Sequence, residues 1–183
     1  MNLLIACWLV PLLSGLISLV LGFLPAVARW SAAMGTAVGG LLGLTLALRQ
    51  IHRGESIVWE MAWNLPIGSF QLGLDALSSF FLIVISIVLL ACAVYSAAYL
   101  KHDDGHRPQG TVGLFFSLLA AGMMLVVLAR DALLFLIVWE VMSVSAFFLV
   151  MYEDEHIPAR HAGWTYLVAT HLGAAFLLLL FIS

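Results

Sequence analysis

Six apolar segments, each about 20 residues long, follow one another along a chain of 183 residues. A helix rises about 1.5 Å per residue, so each segment can cross a hydrocarbon core of about 30 Å. The segments lie at 3–24, 28–49, 75–99, 111–129, 132–151 and 162–183. The sequence therefore predicts an all-α, polytopic transmembrane helix bundle that forms a single transmembrane domain over residues 1–183.

The composition excludes a soluble globular protein. Charged residues make up only 9% of the chain and hydrophobic residues 64%, whereas a soluble domain carries about 25% charged residues. With a net charge of −3 there is no basic patch for nucleic acid, and the expected partner is the lipid bilayer. Cys7 and Cys92 lie in apolar segments without a CxxC or Cys/His cluster, so we expect no disulfide framework, no zinc or other metal site and no thiolate-held cluster in this chain.

The first segment is predicted to be a membrane helix, because it is longer than the apolar core of a signal peptide, about 7–15 residues. Basic residues flank the segments on both sides of the membrane, with Arg29, Lys101, Arg107 and Arg160 on one side and Arg49, Arg53 and Arg130 on the other. Basic loops tend to stay in the cytoplasm. The small excess predicts an N-terminus outside, with the loops 100–110 and 152–161 in the cytoplasm.

Residues 56–72, SIVWEMAWNLPIGSFQL, are too few and too interrupted to span the membrane. Trp59, Met61, Trp63 and Leu65 recur at every second position, and a turn is predicted at 66–69. This pattern predicts a small hairpin at the membrane surface, with the two tryptophans at the level of the lipid headgroups. The alternative is an irregular loop anchored by the same tryptophans.

Small residues recur at helical spacing in three segments. The sets are Ser14, Ser18 and Gly22 in the first, Gly35, Gly39 and Gly43 in the second, and Gly113, Ser117 and Ala121 in the fourth. Such stripes let membrane helices approach closely. They predict a packed bundle and carry no chemistry of their own.

Glu140 is the single ionisable residue of the fifth segment and lies near its middle. An acidic residue at that depth costs about 2.5–3.5 kcal/mol, so it normally faces a bundle interior, a hydrated cavity or a charged partner. Burial favours the neutral carboxyl and a nearby cation favours the ionised form. Glu140 is therefore the leading candidate for proton exchange, with Ser143 one turn away to hold water. The alternative is a glutamate used only for packing.

His171 lies near the centre of the sixth segment, at a depth that matches that of Glu140. Imidazole has two distinct ring nitrogens and passes protons along hydrogen-bonded chains. A proton relay and a buried histidine with a purely structural role are both compatible with the sequence. A haem ligand is disfavoured, because a second axial residue is needed from a facing helix.

Polar residues at the segment ends have simpler interpretations. Asp75 is predicted to be a structural cap that accepts the backbone N–H of Leu77 or Ser78. Arg130 and Asp131 are expected to pair with each other around a tight turn. Residues 153–161 read as a solvated loop, with a docking surface for a soluble partner as the alternative.

Four pieces of sequence together resemble the antiporter-like membrane subunits of respiratory complex I, Mrp-type cation/proton antiporters and membrane-bound hydrogenases. They are FQLGLDALSSFFL, AVYSAAYL, LFLIVWEVMSVSAFFLV and ARHAGWTYLVATHLGAAF. The resemblance is strongest to hydrogenase-4 component B and formate hydrogenlyase subunit 3, and it extends over all 183 residues. Its most specific part is Trp139-Glu140 in an apolar helix together with the LDALS segment.

The resemblance implies that Glu140 belongs to a proton-translocating site and that 56–72 is the family's surface hairpin. It also implies lysines on later helices, whereas the single lysine here is Lys101, in a loop. The chain is therefore expected to be the N-terminal portion of a longer subunit, or a split product.

The function implied is that of a proton-translocating, non-redox membrane subunit of an energy-converting oxidoreductase, in a bacterial or archaeal cytoplasmic membrane. This chain is then expected to bind no cofactor of its own, and iron–sulfur clusters with nickel–iron or flavin are expected in partner subunits. The alternatives are an Mrp-type cation/proton antiporter subunit and a purely structural membrane scaffold.

Overall fold

The computed structural model describes residues 2–54, 56–61, 69–100, 108–153 and 155–182. Within these ranges the long helices are α1 Asn2–Val20, α2 Pro25–Arg53, α3 Ala76–Tyr99, α4 Gln109–Leu128, α5 Ala132–Val150 and α6 Ile157–Ile182. Each is long and apolar enough to cross a membrane. The predicted all-α bundle of six spans is therefore confirmed, and the chain is an integral membrane protein.

Helices α2 and α6 begin three and five residues earlier than their apolar segments predict, and a proline lies in the first turn of each. Pro25 begins α2, and Pro158 is the second residue of α6. Proline is tolerated there because the first-turn N–H groups have no partner within the helix. The prediction of a loop over 153–161 is consequently wrong for 157–161, which form the first turns of α6.

Helix α2 also ends later than predicted. Gly54 closes it with a left-handed φ of 72°, and the Gly54 N–H donates to the carbonyl oxygen of Gln50. Residues other than glycine rarely adopt this conformation, which explains why the helix ends there and not at the edge of the apolar segment.

The small-residue stripes lie where helices meet, as predicted. Gly39 on α2 lies against the Pro11 ring of α1, so closely that a Cβ atom would overlap it, and Gly113 on α4 meets Ser18 of α1 in the same way. Helix α1 packs against α2 and α4, α2 also contacts α3, and α5 contacts α4. Helix α6 packs mainly on α5 and leaves most of its surface exposed.

The hairpin is present as two antiparallel strands, β1 Ile57–Met61 and β2 Phe70–Leu74, with Met61 opposite Phe70. The alternative of an irregular loop is therefore wrong. Trp59 meets the ring of Phe70 edge to face, with centroids 5.8 Å apart. Trp63 and most of the predicted turn at 66–69 lie outside the described residues.

Strand β2 fixes the hairpin to the bundle. Leu72 and Leu74 are fully buried and join the core formed by the helices. Leu72 forms a bridge with Ala129, and the Arg130 N–H donates to the carbonyl oxygen of Gln71 at 3.0 Å. The hairpin therefore closes the end of the bundle where α4 passes into α5.

Candidate functional site

Glu140 and His171 lie in the middle of adjacent helices. Glu140 is the ninth of the 19 residues of α5, and His171 is the fifteenth of the 26 residues of α6. The two helices are joined by a short connection and pack side by side. At 1.5 Å per residue, each side chain is more than about 10 Å from either end of its helix.

The two side chains approach each other directly. The Nε2 atom of His171 lies 3.6 Å from the Oε2 atom of Glu140. The Nδ1 atom of the same ring lies 2.9 Å from the carbonyl oxygen of Leu167. A carbonyl oxygen only accepts hydrogen bonds, so Nδ1 carries the hydrogen and Nε2 is left to face the carboxyl group.

This geometry permits two arrangements of one proton. On Glu140 the proton gives a neutral pair, with the carboxyl O–H directed at Nε2, and on His171 it gives an ion pair. The distance of 3.6 Å is longer than a hydrogen bond. A small side-chain rotation or one bridging water is enough to complete the transfer.

The pair lies on the open side of α5 and α6. The Glu140 side chain is 39% exposed and that of His171 is 52% exposed. Leu167, Val168 and Leu172 flank the histidine. In contact with lipid this environment favours the neutral arrangement, because a charge in hydrocarbon is costly, whereas a polar protein neighbour would favour the ion pair.

Ser143 lies on the inner side of α5, one turn from Glu140. It is 1% exposed, and its hydroxyl oxygen has no hydrogen-bond partner among the described residues. The indole N–H of Trp139, next to Glu140, is also buried and has no hydrogen-bond partner among the described residues. No hydrogen bond joins Ser143 to Glu140 or His171, so its role of holding water beside the carboxyl group stays a prediction.

A second polar cluster lies where α3 and α5 begin. The Asp75 side chain caps α3 and accepts the Ser78 N–H at 2.7 Å. Arg130 donates to the same carboxylate at 2.8 Å and to the Ser78 hydroxyl at 3.3 Å. The Ser78 N–H and then Arg130 lower the pKa of Asp75 from 3.8 to about 2.

The predicted pair between Arg130 and Asp131 is wrong. Asp131 caps α5, where it accepts the N–H groups of Leu133 and Leu134. These donors belong to the first turn of its own helix and have no other partner there. Arg130 is therefore directed to Asp75 on the other helix.

The described residues contain no group of three or more His, Cys, Asp or Glu side chains that could hold a metal ion. The loop histidines His102 and His106 lie outside the described residues. The expectation of a chain without its own cofactor remains an expectation.

A family model described as the N-terminus of chain 5 of NADH-ubiquinone oxidoreductase (complex I) matches residues 63–108. Hydrogenase-4 component B of Escherichia coli (strain K12) is 28% identical over 171 residues, which cover 93% of this chain and 25% of the relative. An inorganic carbon transporter subunit, DabB1, of Halothiobacillus neapolitanus is 30% identical over 168 residues, which cover 87% of this chain and 28% of the relative.

An antiporter subunit, mnhA2, of Staphylococcus aureus is 28% identical over 142 residues, which cover 78% of this chain and 17% of the relative. The solved structure of the membrane-bound sulfane sulfur reductase, an archaeal respiratory membrane complex, contains a chain with the same fold. The two chains superpose with a TM-score of 0.80 at 21% sequence identity, and the match covers 98% of this chain and 36% of the chain in that complex.

These findings confirm the resemblance that the sequence motifs indicate. Relatives of this chain are subunits or components of membrane assemblies, among them hydrogenase-4 and quinone oxidoreductases. The chain spans about a quarter of the length of the first two relatives.

Proposed function

We propose that this chain, a relative of the antiporter-like membrane subunits of complex I, hydrogenase-4 and Mrp-type assemblies, translocates protons as a non-redox subunit of an energy-converting oxidoreductase. The observation that carries the proposal is the approach of His171 to Glu140, 3.6 Å apart in the middle of two spans. Histidine and glutamate are both able to take up and release a proton, and together they form a two-site step in a proton path.

In the proposed step, one proton moves from His171 Nε2 to Glu140 Oε2, or back, as the surroundings of the pair change. A cation that approaches Glu140 favours the ionised carboxylate, and its withdrawal favours the neutral one. Redox chemistry in partner subunits would move such charges. Those partners would carry iron–sulfur clusters with nickel–iron or flavin, while this chain supplies only proton-exchanging groups.

The open side of the pair is proposed to be covered by further membrane helices, from the same polypeptide or from a neighbouring subunit. Two observations support this. Helix α6 exposes most of its surface, and the exposed Glu140–His171 pair lies at mid-span, where contact with lipid would be costly in its charged form. The same proposal makes residues 1–183 a single transmembrane domain, the N-terminal portion of a longer subunit. It also places this subunit in a bacterial or archaeal cytoplasmic membrane.

A second candidate function is cation/proton antiport. It is favoured by the presence of an antiporter subunit of Staphylococcus aureus among the relatives. In an Mrp-type assembly the same pair would exchange protons against another cation, with no redox partner. A structural scaffold would need neither the carboxyl group nor the imidazole.

The test is proton pumping by the assembled complex in sealed vesicles, with Glu140→Gln in this chain. Glutamine keeps the shape of glutamate and removes the exchangeable proton. We expect normal assembly and redox activity with a loss of the proton gradient, while Glu60→Gln, a change on the exposed face of β1, leaves pumping intact. Unchanged pumping with Glu140→Gln would refute the proposal and favour the scaffold.

The same vesicles separate the two transport functions. Pumping that requires the electron donor supports the oxidoreductase setting. A proton flux that instead depends on an imposed Na⁺ or K⁺ gradient, without a donor, would replace it with the antiporter.

A further inference from the structure

A cavity of about 390 Å³ opens at the end of the bundle opposite the hairpin. The end of α3, the beginnings of α2, α4 and α6, and the end of α5 surround it, and its walls are mostly apolar. Val112 and Phe116 of α4 form one side. Three tyrosines, Tyr95, Tyr99 and Tyr152, line it as well. We call this space the Arg29 cavity, after the single basic residue that the structure describes in its lining.

Arg29 is an unusual residue to find in such a place. It is the fifth residue of α2 and is only 8% exposed. Among the residues that the structure describes, its Nε atom has no hydrogen-bond partner and no acidic side chain pairs with the guanidinium group. A buried cation without a partner is strongly unfavourable, so the lining implies an anion that completes it.

The chemistry of the walls indicates which anion. Guanidinium presents a planar set of donors that matches the oxygens of a phosphate group. Tyrosine is typical of the membrane–water interface, where its ring is in contact with apolar groups and its hydroxyl with polar ones. The apolar side of the cavity fits a hydrocarbon chain. A molecule with a phosphate at one end and an acyl chain at the other satisfies all three features.

The position in the membrane agrees with this assignment. The cavity lies at the ends of helices that are long enough to span a membrane, and such ends meet the lipid headgroups. The exposed Arg160 lies at the same end. The basic-residue pattern predicts that this end faces the cytoplasm, where the leaflet carries anionic lipids.

We propose that the Arg29 cavity binds one anionic phospholipid, whose phosphate pairs with Arg29 and whose acyl chain lies along Val112 and Phe116. The lipid would join the ends of α2, α3, α4 and α5. This role is independent of proton exchange at Glu140, which lies in the middle of α5.

Native mass spectrometry of the full 183-residue chain, purified from bacterial membranes in a mild detergent, tests the proposal. We expect one retained phospholipid with an anionic headgroup. Arg29→Gln should lower its occupancy about tenfold, and Arg29→Lys should retain part of it. Arg160→Gln removes the same charge from an exposed position and should have no effect. Equal losses from both glutamine variants would overturn the proposal, since general surface charge would then explain binding.

A second measurement keeps the test valid if Arg29→Gln folds poorly. Val112→Phe narrows the cavity while leaving Arg29 in place, and it should also reduce lipid retention. Delipidated wild-type protein is then titrated with phosphatidylglycerol, phosphatidylethanolamine or inorganic phosphate while its thermal unfolding is followed. Stabilisation by phosphatidylglycerol alone supports a lipid site. Equal stabilisation by inorganic phosphate would overturn the lipid assignment in favour of a free anion.

A carboxylate of the chain itself is the remaining competitor for Arg29. Asp103 and Asp104 lie in the sequence between α3 and α4. If Asp103→Asn with Asp104→Asn destabilises the protein and no lipid is retained by the wild type, the proposal is overturned.

Discussion

The Nε2 atom of His171 faces the Oε2 atom of Glu140 at 3.6 Å, and Nδ1 of the same imidazole is held by the carbonyl oxygen of Leu167 at 2.9 Å. The contact to Leu167 fixes the ring orientation, so the free nitrogen is aimed at the carboxyl group. Proton exchange between the two residues needs no rearrangement of either helix.

His171→Gln should therefore slow proton transport by the assembled complex about tenfold or more. Glutamine can keep a hydrogen bond to Leu167 but cannot take up a proton. His156→Gln changes an exposed histidine before α6 and is the matched control. Pumping is measured as acidification per electron transferred, and a rate equal to that of the control would leave His171 with only a structural role.

The 183-residue chain on its own should insert into liposomes and conduct no protons. Its spans hold no Lys or Arg at mid-membrane, so Glu140 and His171 form one step without the groups that continue the path. The measurement is the decay of an imposed pH gradient, compared with liposomes containing Glu140→Gln. A flux that is present in the wild type and absent in the variant would show that these six helices are sufficient.

Gly39→Leu should lower the free energy of unfolding of the bundle by about 1–3 kcal/mol or more. A side chain at this position would overlap the Pro11 ring and the Cys7 carbonyl oxygen on α1. Gly173→Ala is the control, because no other group lies within 4 Å of its added Cβ. Unfolding in detergent is expected to show a lower midpoint for the first variant and an equal or higher one for the second. A wild-type midpoint for Gly39→Leu would contradict the close packing of α1 on α2.

Protonation of Asp75 should lower the stability of the protein in acid. The pKa of Asp75 is about 2 in the fold, below its ordinary value of 3.8. A lowered pKa means that the carboxylate stabilises the fold above pH 3.8 and that this contribution is lost as the pH falls toward 2. Asp75→Asn can still cap α3 but cannot pair with Arg130 as an anion. The variant should lose this part of the acid dependence, and an unchanged pH profile of unfolding would argue against the Asp75–Arg130 pair.

The sequence predicts the elements of this protein better than the contacts between their ends. Length and hydropathy are local properties, so the six spans, the hairpin and the matching depths of Glu140 and His171 follow from the sequence. Whether the two side chains face each other depends on the rotation of α5 against α6, which no local pattern contains. Arg130 illustrates the same limit: its neighbour Asp131 is already occupied as a helix cap, and its actual partner is 55 positions away in the chain.

The buried position of Arg29 is likewise a tertiary property. In the sequence it is one of several arginines at segment ends and contributes only to the prediction of orientation. A signal was present in its surroundings, since Ala28, Ala32 and Ala33 are small, buried residues of the kind that lets neighbouring helices pack closely.

Infrared difference spectroscopy of Glu140 and His171 tests the central claim most directly. Difference spectra between the wild type and each variant are recorded for the purified chain in lipid vesicles, and the carboxyl band of Glu140 is identified by its loss in Glu140→Gln. Because the Nε2 atom of His171 lies 3.6 Å from the Oε2 atom of Glu140, His171→Gln should change the frequency or the intensity of the Glu140 carboxyl band. A Glu140 band that is identical with and without His171 would contradict proton exchange between them.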